Sequence, residues 1–306
     1  MVITAGMVKE LRELSGAGMS ACKNALTEAD GNMERAGEIL REKGLAAAAK
    51  KAGRVAAEGL VLVSTNDARD KGAIVEVNSE TDFVAKNQDF INFVSQVASQ
   101  ALCSSAANVD GLASEPWAGG GMTLGEALTQ KIATIGENIN IRRFVRFEAE
   151  GSGAVVDYIH GGGKVAVMAE LSSEKICDAL IEAGRNVCMQ IAAMSPKFVS
   201  RSDIPEEFIA KEREILTQQA INEGTKPEFA GKKVEGRLNK ELKEYCLLEQ
   251  EYVKDGELTV ASYLKGVGDE IGSNVSVRRF VRFETGEGIE KKKEDFAEEV
   301  SKAMNV

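Results

Sequence analysis

The sequence predicts an α+β protein built of several parts, in which helical modules flank a core whose strand-and-helix unit occurs twice. Three observations carry that expectation. IGENINIRRFVRFE at residues 135–148 returns as IGSNVSVRRFVRFE at 271–284, 136 residues later, with ten of fourteen positions identical. A repeat at fixed offset marks a duplicated supersecondary unit. The apolar spacing also changes, from helical before Gly59 to strand-like after it. Finally, a charged helical stretch at about 203–252 has no counterpart in the first copy. At 306 residues the chain is longer than one average domain.

Thr4 is placed to cap a first helix, with Val8, Leu11 and Leu14 on one face. Ser15-Gly16-Ala17-Gly18 breaks it, and Ser20 is expected to cap a second helix with Cys22, Ala25 and Leu26 inward. Asp30-Gly31-Asn32 turns the chain into a third, with Met33, Ala36, Ile39 and Leu40 inward and Gly44 as its stop. The Ala-rich, basic stretch 45–54 reads as a linker, helical or flexible, so bundle and linker occupy residues 1–54.

The first core subdomain spans 55–150. Leu60-Val61-Leu62-Val63 and Ala73-Ile74-Val75-Glu76-Val77 flank Asn66-Asp67 as a hairpin. A helix over 90–102 and a Gly/Ser/Ala-rich loop over 104–121 follow. Thr123 and Glu126 form a capping box for a helix ending at Gly136, and the repeat strand closes the unit. The second subdomain, 151–289, has its hairpin turn at Gly161-Gly162-Gly163 and a helix near 186–194. The hairpins and first helices align at an offset of about 94 and the closing elements at 136, so the second copy carries an insertion of 42 residues. It reads as an antiparallel helical hairpin at about 203–252, with Phe208 and Ile215 on one helix and the stripe Val234, Leu238, Leu242 and Tyr245 on the other.

A net charge of −10 argues against a dedicated nucleic-acid binder, which works through basic patches. Five scattered cysteines with no C-x-x-C pair suit a reducing compartment, so the expected location is cytoplasmic. No signal peptide is legible, and no apolar run approaches the ~18 residues of a membrane span. The single histidine, His160, ends a strand beside Gly161, away from any nucleophile context. Metal-ligand spacing and phosphate-cradling loops are missing, so no catalytic residue, metal or cofactor is expected. In the repeat strand, alternation puts Ile141, Val145 and Phe147 on one face with Arg143, and Arg142, Phe144, Arg146 and Glu148 on the other. One face is core, and the two arginines of the other are expected to be ion-paired or solvated rather than stacked on bases.

One turn asks for an explanation. Asn78-Ser79-Glu80-Thr81-Asp82-Phe83-Val84-Ala85-Lys86-Asn87 follows a strand and precedes a helix. Phe83 beside Asp82 is either an exposed hook, an apolar wedge with an anion, or a side chain folded back into the core.

VKELRELSGAGMSACKNALTEADGN, AAKKAGRVAAEG, EVNSETDFVAKN, IGENINIRR and RFETGEGIEKKKEDFAEEV, in that order over nearly the whole chain, resemble the bacterial elongation factor Ts family. The resemblance implies a ubiquitin-associated-like three-helix bundle, two duplicated α/β subdomains with antiparallel sheets and an inserted coiled-coil hairpin. It also implies a C-terminal helical module at 290–306, where Phe296 and Val300 give an apolar stripe. Members are not enzymes; they are guanine-nucleotide exchange factors of elongation factor Tu. By the same resemblance Thr81, Asp82, Phe83 and Val84 enter that GTPase beside its magnesium site, Phe83 as the wedge and Asp82 against the displaced helix. Arg12, Met19 and Lys23 would seat the bundle on the GTPase domain, and His160 would touch another domain. The expected partner is elongation factor Tu, GDP-bound and nucleotide-free, in a one-to-one or two-to-two complex, with no direct nucleic acid and no membrane. Two other readings stand beside it. A nascent-chain-binding protein would leave Phe83 unexplained, and a ribosome-associated RNA binder would need a basic face.

Overall fold

The computed structural model describes residues 2–118, 121–224 and 227–290, with the side chains of 227–230 left aside. The C-terminal stripe of Phe296 and Val300 lies outside the described residues. The fold mixes helix with antiparallel sheet and is α+β. The chain divides into two compact units, one holding the chain through Leu62, Val75–Phe144 and the part from Glu284 on, the other Val63–Ile74 and Val145–Phe283.

The first unit opens with α1 (Ala5–Ser15), capped by Thr4 Oγ1, which accepts the Met7 N–H at 3.3 Å. Val8 and Leu11 are buried as expected, but Leu14 is 71% exposed. Three residues advance a helix by about 300°, so Leu14 falls short of a full turn and rotates off the buried line. α2 (Met19–Glu28) is capped by Gly18 and not by Ser20, which lies inside its first turn. α3 (Met33–Lys51), capped by Asn32, corrects the expectation of a stop at Gly44, and the stretch beyond takes the helical one of its two expected forms, continuous with the bundle's third helix. The alanines after Gly44 are strong helix formers and offset the roughly 1 kcal/mol cost of one helical glycine. Gly44 itself lies where α3 meets the later helix Leu124–Ile135; a Cβ there would stand 3.6 Å from Ala133 Cβ.

β1 (Glu58–Thr65) and β2 (Lys71–Ser79) form the expected hairpin, closed by the Asn66 N–H on Lys71 O at 3.1 Å. Then come α4 (Asp82–Ala85), α5 (Gln88–Cys103), α6 (Val109–Ser114) and α7 (Leu124–Ile135). α5 buries Phe90, Phe93, Val94, Val97, Ala98 and Ala101. The segment expected as a loop at 104–121 contains α6, because Asn108 caps it and Leu112 is fully buried. The capping box of α7 is present in both directions, and Gly136 ends the helix at φ 90°. β3 (Asn140–Glu148) completes a sheet of order β1-β2-β3.

In the second unit β4 (Gly153–His160) pairs antiparallel with β5 (Val165–Ser172), from Gly153 opposite Ser172 to His160 opposite Val165. α8 (Asp178–Met194) begins two turns earlier than the sequence suggested. The insertion is α9 (Glu206–Asn222) and α10 (Pro227–Tyr245), followed by the small pair β6 (Glu251–Tyr252) and β7 (Asp255–Thr259), then α11 (Val260–Ile271) and β8 (Ser276–Glu284), which joins the sheet as β4-β5-β8. The core sets Val156, Val167, Leu171, Leu180, Val187, Ile191 and Leu264 together. Each such side chain contributes on the order of 1.5–3 kcal/mol. The hairpin has its own cluster of Ile204, Leu216, Ala220, Val234, Leu238, Leu242 and Cys246. Ile215 is exposed and Leu216 takes the inward place, since Leu216 and Ala220 keep the four-residue spacing of one helical face.

The duplication recurs in close contacts. A Cβ on Gly59 would stand 2.2 Å from Val77 O, and one on its counterpart Gly153 would stand 2.3 Å from Leu171 O, so both strand crossings exclude a side chain. Buried Glu76 meets Arg142 at 2.9 Å and Arg143 at 2.6 Å. Its counterpart Glu170 meets Arg278 at 3.6 Å and Arg279 at 2.7 Å. Arg142 thus takes a carboxylate partner, one of its two expected outcomes, while Arg143, which alternation alone puts on the other face, shares the Glu76 carboxylate through its Nε.

Candidate functional site

The turn singled out in the sequence stands at the end of β2. Ser79 Oγ donates to Thr81 O at 3.1 Å and tightens the exit from the strand. Thr81, in an extended conformation, is the N-cap of α4, a single helical turn closed by the Asn87 N–H on Val84 O at 2.9 Å. In that turn Val84 points inward and is buried, whereas Phe83 is 80% exposed. Asp82 and Lys86, four apart, are joined at 2.6 Å. Of the two orientations open to Phe83, the structure takes the exposed one.

A reciprocal brace holds this turn. The Glu137 carboxylate, just after the glycine that ends α7, accepts the Glu80 N–H at 3.1 Å, the Thr81 N–H at 3.0 Å and the Thr81 hydroxyl at 2.6 Å. In return Glu80 Oε1 accepts the Asn138 N–H at 2.5 Å, and Arg54 lies 3.4 Å from the same oxygen. Hydrogen bonds to charged groups contribute about 1.5–3 kcal/mol each, so the turn is anchored at its entry while its tip stays open. The strand behind it is fixed as well. Burial would raise the Glu76 carboxyl, but the Gly286 N–H, the Asn78 amide, Arg142 and Arg143 outweigh burial and hold it below the usual carboxylate range.

Arg12, Met19 and Lys23 are all exposed, Arg12 in the last turn of α1 and the others on α2. Leu14, inward by its spacing, is exposed in the same stretch. His160 belongs to the second unit, at the end of β4 before three glycines of positive φ, with Nδ1 3.0 Å from the Tyr158 hydroxyl. Among the described residues no three His, Cys, Asp or Glu side chains gather as a metal set, and no helix is long and apolar enough to cross a membrane.

Residues 80–287, from the brace to the end of the second copy, match the family described as Elongation factor TS. The chain belongs to the elongation factor Ts family. The elongation factor Ts of Clostridium perfringens is 53% identical over 301 residues, spanning 98% of this chain and 99% of its own. That of Clostridioides difficile is 52% identical over 302 residues, with 99% of each chain covered. That of Clostridium tetani is 50% identical over 304 residues, covering 99% and 100%. As a member of the elongation factor Ts family, the protein is a translation elongation factor of protein biosynthesis. Residues the sequence reading missed, Glu80 and Glu137 above all, left one trace in it. Position 137 is one of the four at which the two repeat segments differ, with serine standing at 273.

Proposed function

We propose that the protein is a cytoplasmic guanine-nucleotide exchange factor that binds elongation factor Tu and promotes GDP release, without catalysing a chemical reaction of its own. The observation that carries this reading is Phe83, exposed at the tip of a braced turn in a member of the elongation factor Ts family. The turn from Thr81 to Val84 docks beside the magnesium and phosphate site of the GTPase, with Phe83 as the wedge and Asp82 against the displaced helix. Val84, expected from the resemblance to enter with them, is buried and anchors the turn from inside instead. Mg²⁺ demands a near-ideal octahedral shell, so a small shift of its ligands loses much of its binding. Without the metal the GDP phosphates lose charge compensation. Exchange factor and nucleotide then weaken each other's binding, with reciprocal strength.

Arg12, Met19 and Lys23 supply a second contact through the helical bundle, and His160 a third. The two related sheet subdomains and the inserted hairpin are the scaffold that carries them. The test is release of fluorescent GDP from elongation factor Tu at saturating Phe83→Ala, Asp82→Ala double variant. The expected loss is at least about tenfold, within the usual range of coupling energies. Release as fast as with the unaltered protein would remove the magnesium-displacement mechanism.

A further inference from the structure

We infer that Glu137 is the positioning residue of the exchange hook, fixing the direction in which Phe83 leaves the protein surface. The inference rests on the exchange reading above. Three donors converge on this one carboxylate: the N–H groups of Glu80 and Thr81 and the Thr81 hydroxyl, at 3.1, 3.0 and 2.6 Å. All three belong to the two residues that enter α4, so Glu137 sets the orientation of the helical turn without reaching its tip. Glu137 is itself placed by Gly136, whose left-handed conformation (φ 90°) ends α7 and sends the chain back toward β3.

The second copy supplies an internal control. Gly272 ends α11 in the same left-handed way, and the next residue is Ser273. Ser273 Oγ accepts the Glu174 N–H at 3.1 Å, the counterpart of the Glu80 bond, and lies 3.0 Å from Ser173 Oγ. A serine hydroxyl is too short to reach one residue further: the N–H of Lys175, which aligns with Thr81, goes to Ser173 Oγ at 3.2 Å, and Lys has no side-chain hydroxyl to match that of Thr81. No separate helical turn forms there either: the positions aligned with α4, 176–179, run directly into α8, which begins at Asp178, four residues before the position aligned with the start of α5. Where the carboxylate stands, the chain makes the turn that presents Phe83. With the hydroxyl in its place the chain runs straight into the long helix.

The experiment uses the full chain with Glu137→Ser, Glu137→Gln, Phe83→Ala and the Glu137→Ser, Phe83→Ala pair. Two readouts are taken: amide hydrogen exchange at Glu80 and Thr81 in the free protein, and GDP release from elongation factor Tu across a concentration series. Glu137→Ser should speed exchange of the Thr81 amide by at least about tenfold, the scale of losing a hydrogen bond to a charged group. It should lower the maximal release rate by a similar factor while the half-saturating concentration moves less than about twofold, since the bundle contacts are untouched. Glu137→Gln keeps an acceptor oxygen and should recover most of that rate. The pair should lose no more than Phe83→Ala alone, because a residue acting through Phe83 has nothing left to act on. An unchanged Thr81 amide, or losses that multiply in the pair, would overturn the positioning role while leaving the hook itself standing. Full release by Phe83→Ala would instead overturn the exchange reading, and the positioning role with it.

Discussion

Phe83 and Phe90 lie seven residues apart and differ in surroundings, 80% exposed against 0%. Phe83→Ala should therefore leave the urea midpoint nearly unchanged, whereas Phe90→Ala should cost about 3–5 kcal/mol, transfer plus cavity. A large loss from Phe83→Ala would show that its ring is packed in solution. Glu76 carries a pH prediction. Its side chain is fully buried, and Arg142 and Arg143 are partly exposed, so removing the charge by Glu76→Gln should cost on the order of 3 kcal/mol at neutral pH. The folded carboxyl titrates below its ordinary value of 4.5. Its contribution is thus complete above that value and is lost as pH falls through the lower, folded one. The stability gap between wild type and Glu76→Gln, measured by urea denaturation at neutral and acid pH, should close on acidification. A gap that stays constant would mean that the ionised form is not what the clamp favours.

At the scale of elements, the inserted hairpin is a body with its own core. Its base is stitched by the Lys197 and Phe198 N–H groups on Tyr245 O, by the Leu247 N–H on Phe198 O at 2.9 Å, and by Lys197 Nζ over the Tyr245 ring at 3.8 Å. Leu247 and Tyr252 are another matter. They belong to the cluster of β4, β5 and α8, and the Tyr252 and Tyr263 rings stack at 4.3 Å. Replacing 205–244 by a short turn should keep cooperative melting of the unit, because it removes a separate cluster. Extending the cut through 252 should abolish it. Calorimetry of both deletions decides the matter, and equal melting would show that the boundary is misplaced. α3 is the opposite case: its second half packs on α7, so residues 45–51 are part of the first unit's fabric.

For the whole molecule, exchange by negative coupling makes a quantitative demand. The factor by which the protein weakens GDP binding to elongation factor Tu must equal the factor by which GDP weakens binding of the protein. Typical coupling of 1–3 kcal/mol sets the expected factor at roughly 5–150. Titrating fluorescent GDP with and without the protein, and the protein with and without GDP, gives both. A factor of one in either direction would mean that no expulsion occurs, and the protein would then be a binding partner without exchange activity.

The sequence by itself determined the α+β class, the duplication, the two hairpins with their turns at Asn66 and Gly161–Gly163, and the place of the inserted helices. These follow from local periodicity, turn chemistry and a long identical repeat, all of which are written in neighbouring residues or fixed offsets. The family resemblance also lay in contiguous motifs. Tertiary structure alone decided that α3 runs on through Gly44, that Leu14 and Ile215 face water while Leu216 does not, and that Phe83 stands outward. Each depends on what covers a side chain from a distant part of the chain. Glu137 lies 56 residues from the threonine it holds, and Glu76 lies 66 from Arg142. Hydrogen-bond geometry across such separations leaves no period in the sequence, because it is fixed only when the strands and helices that carry both partners have packed.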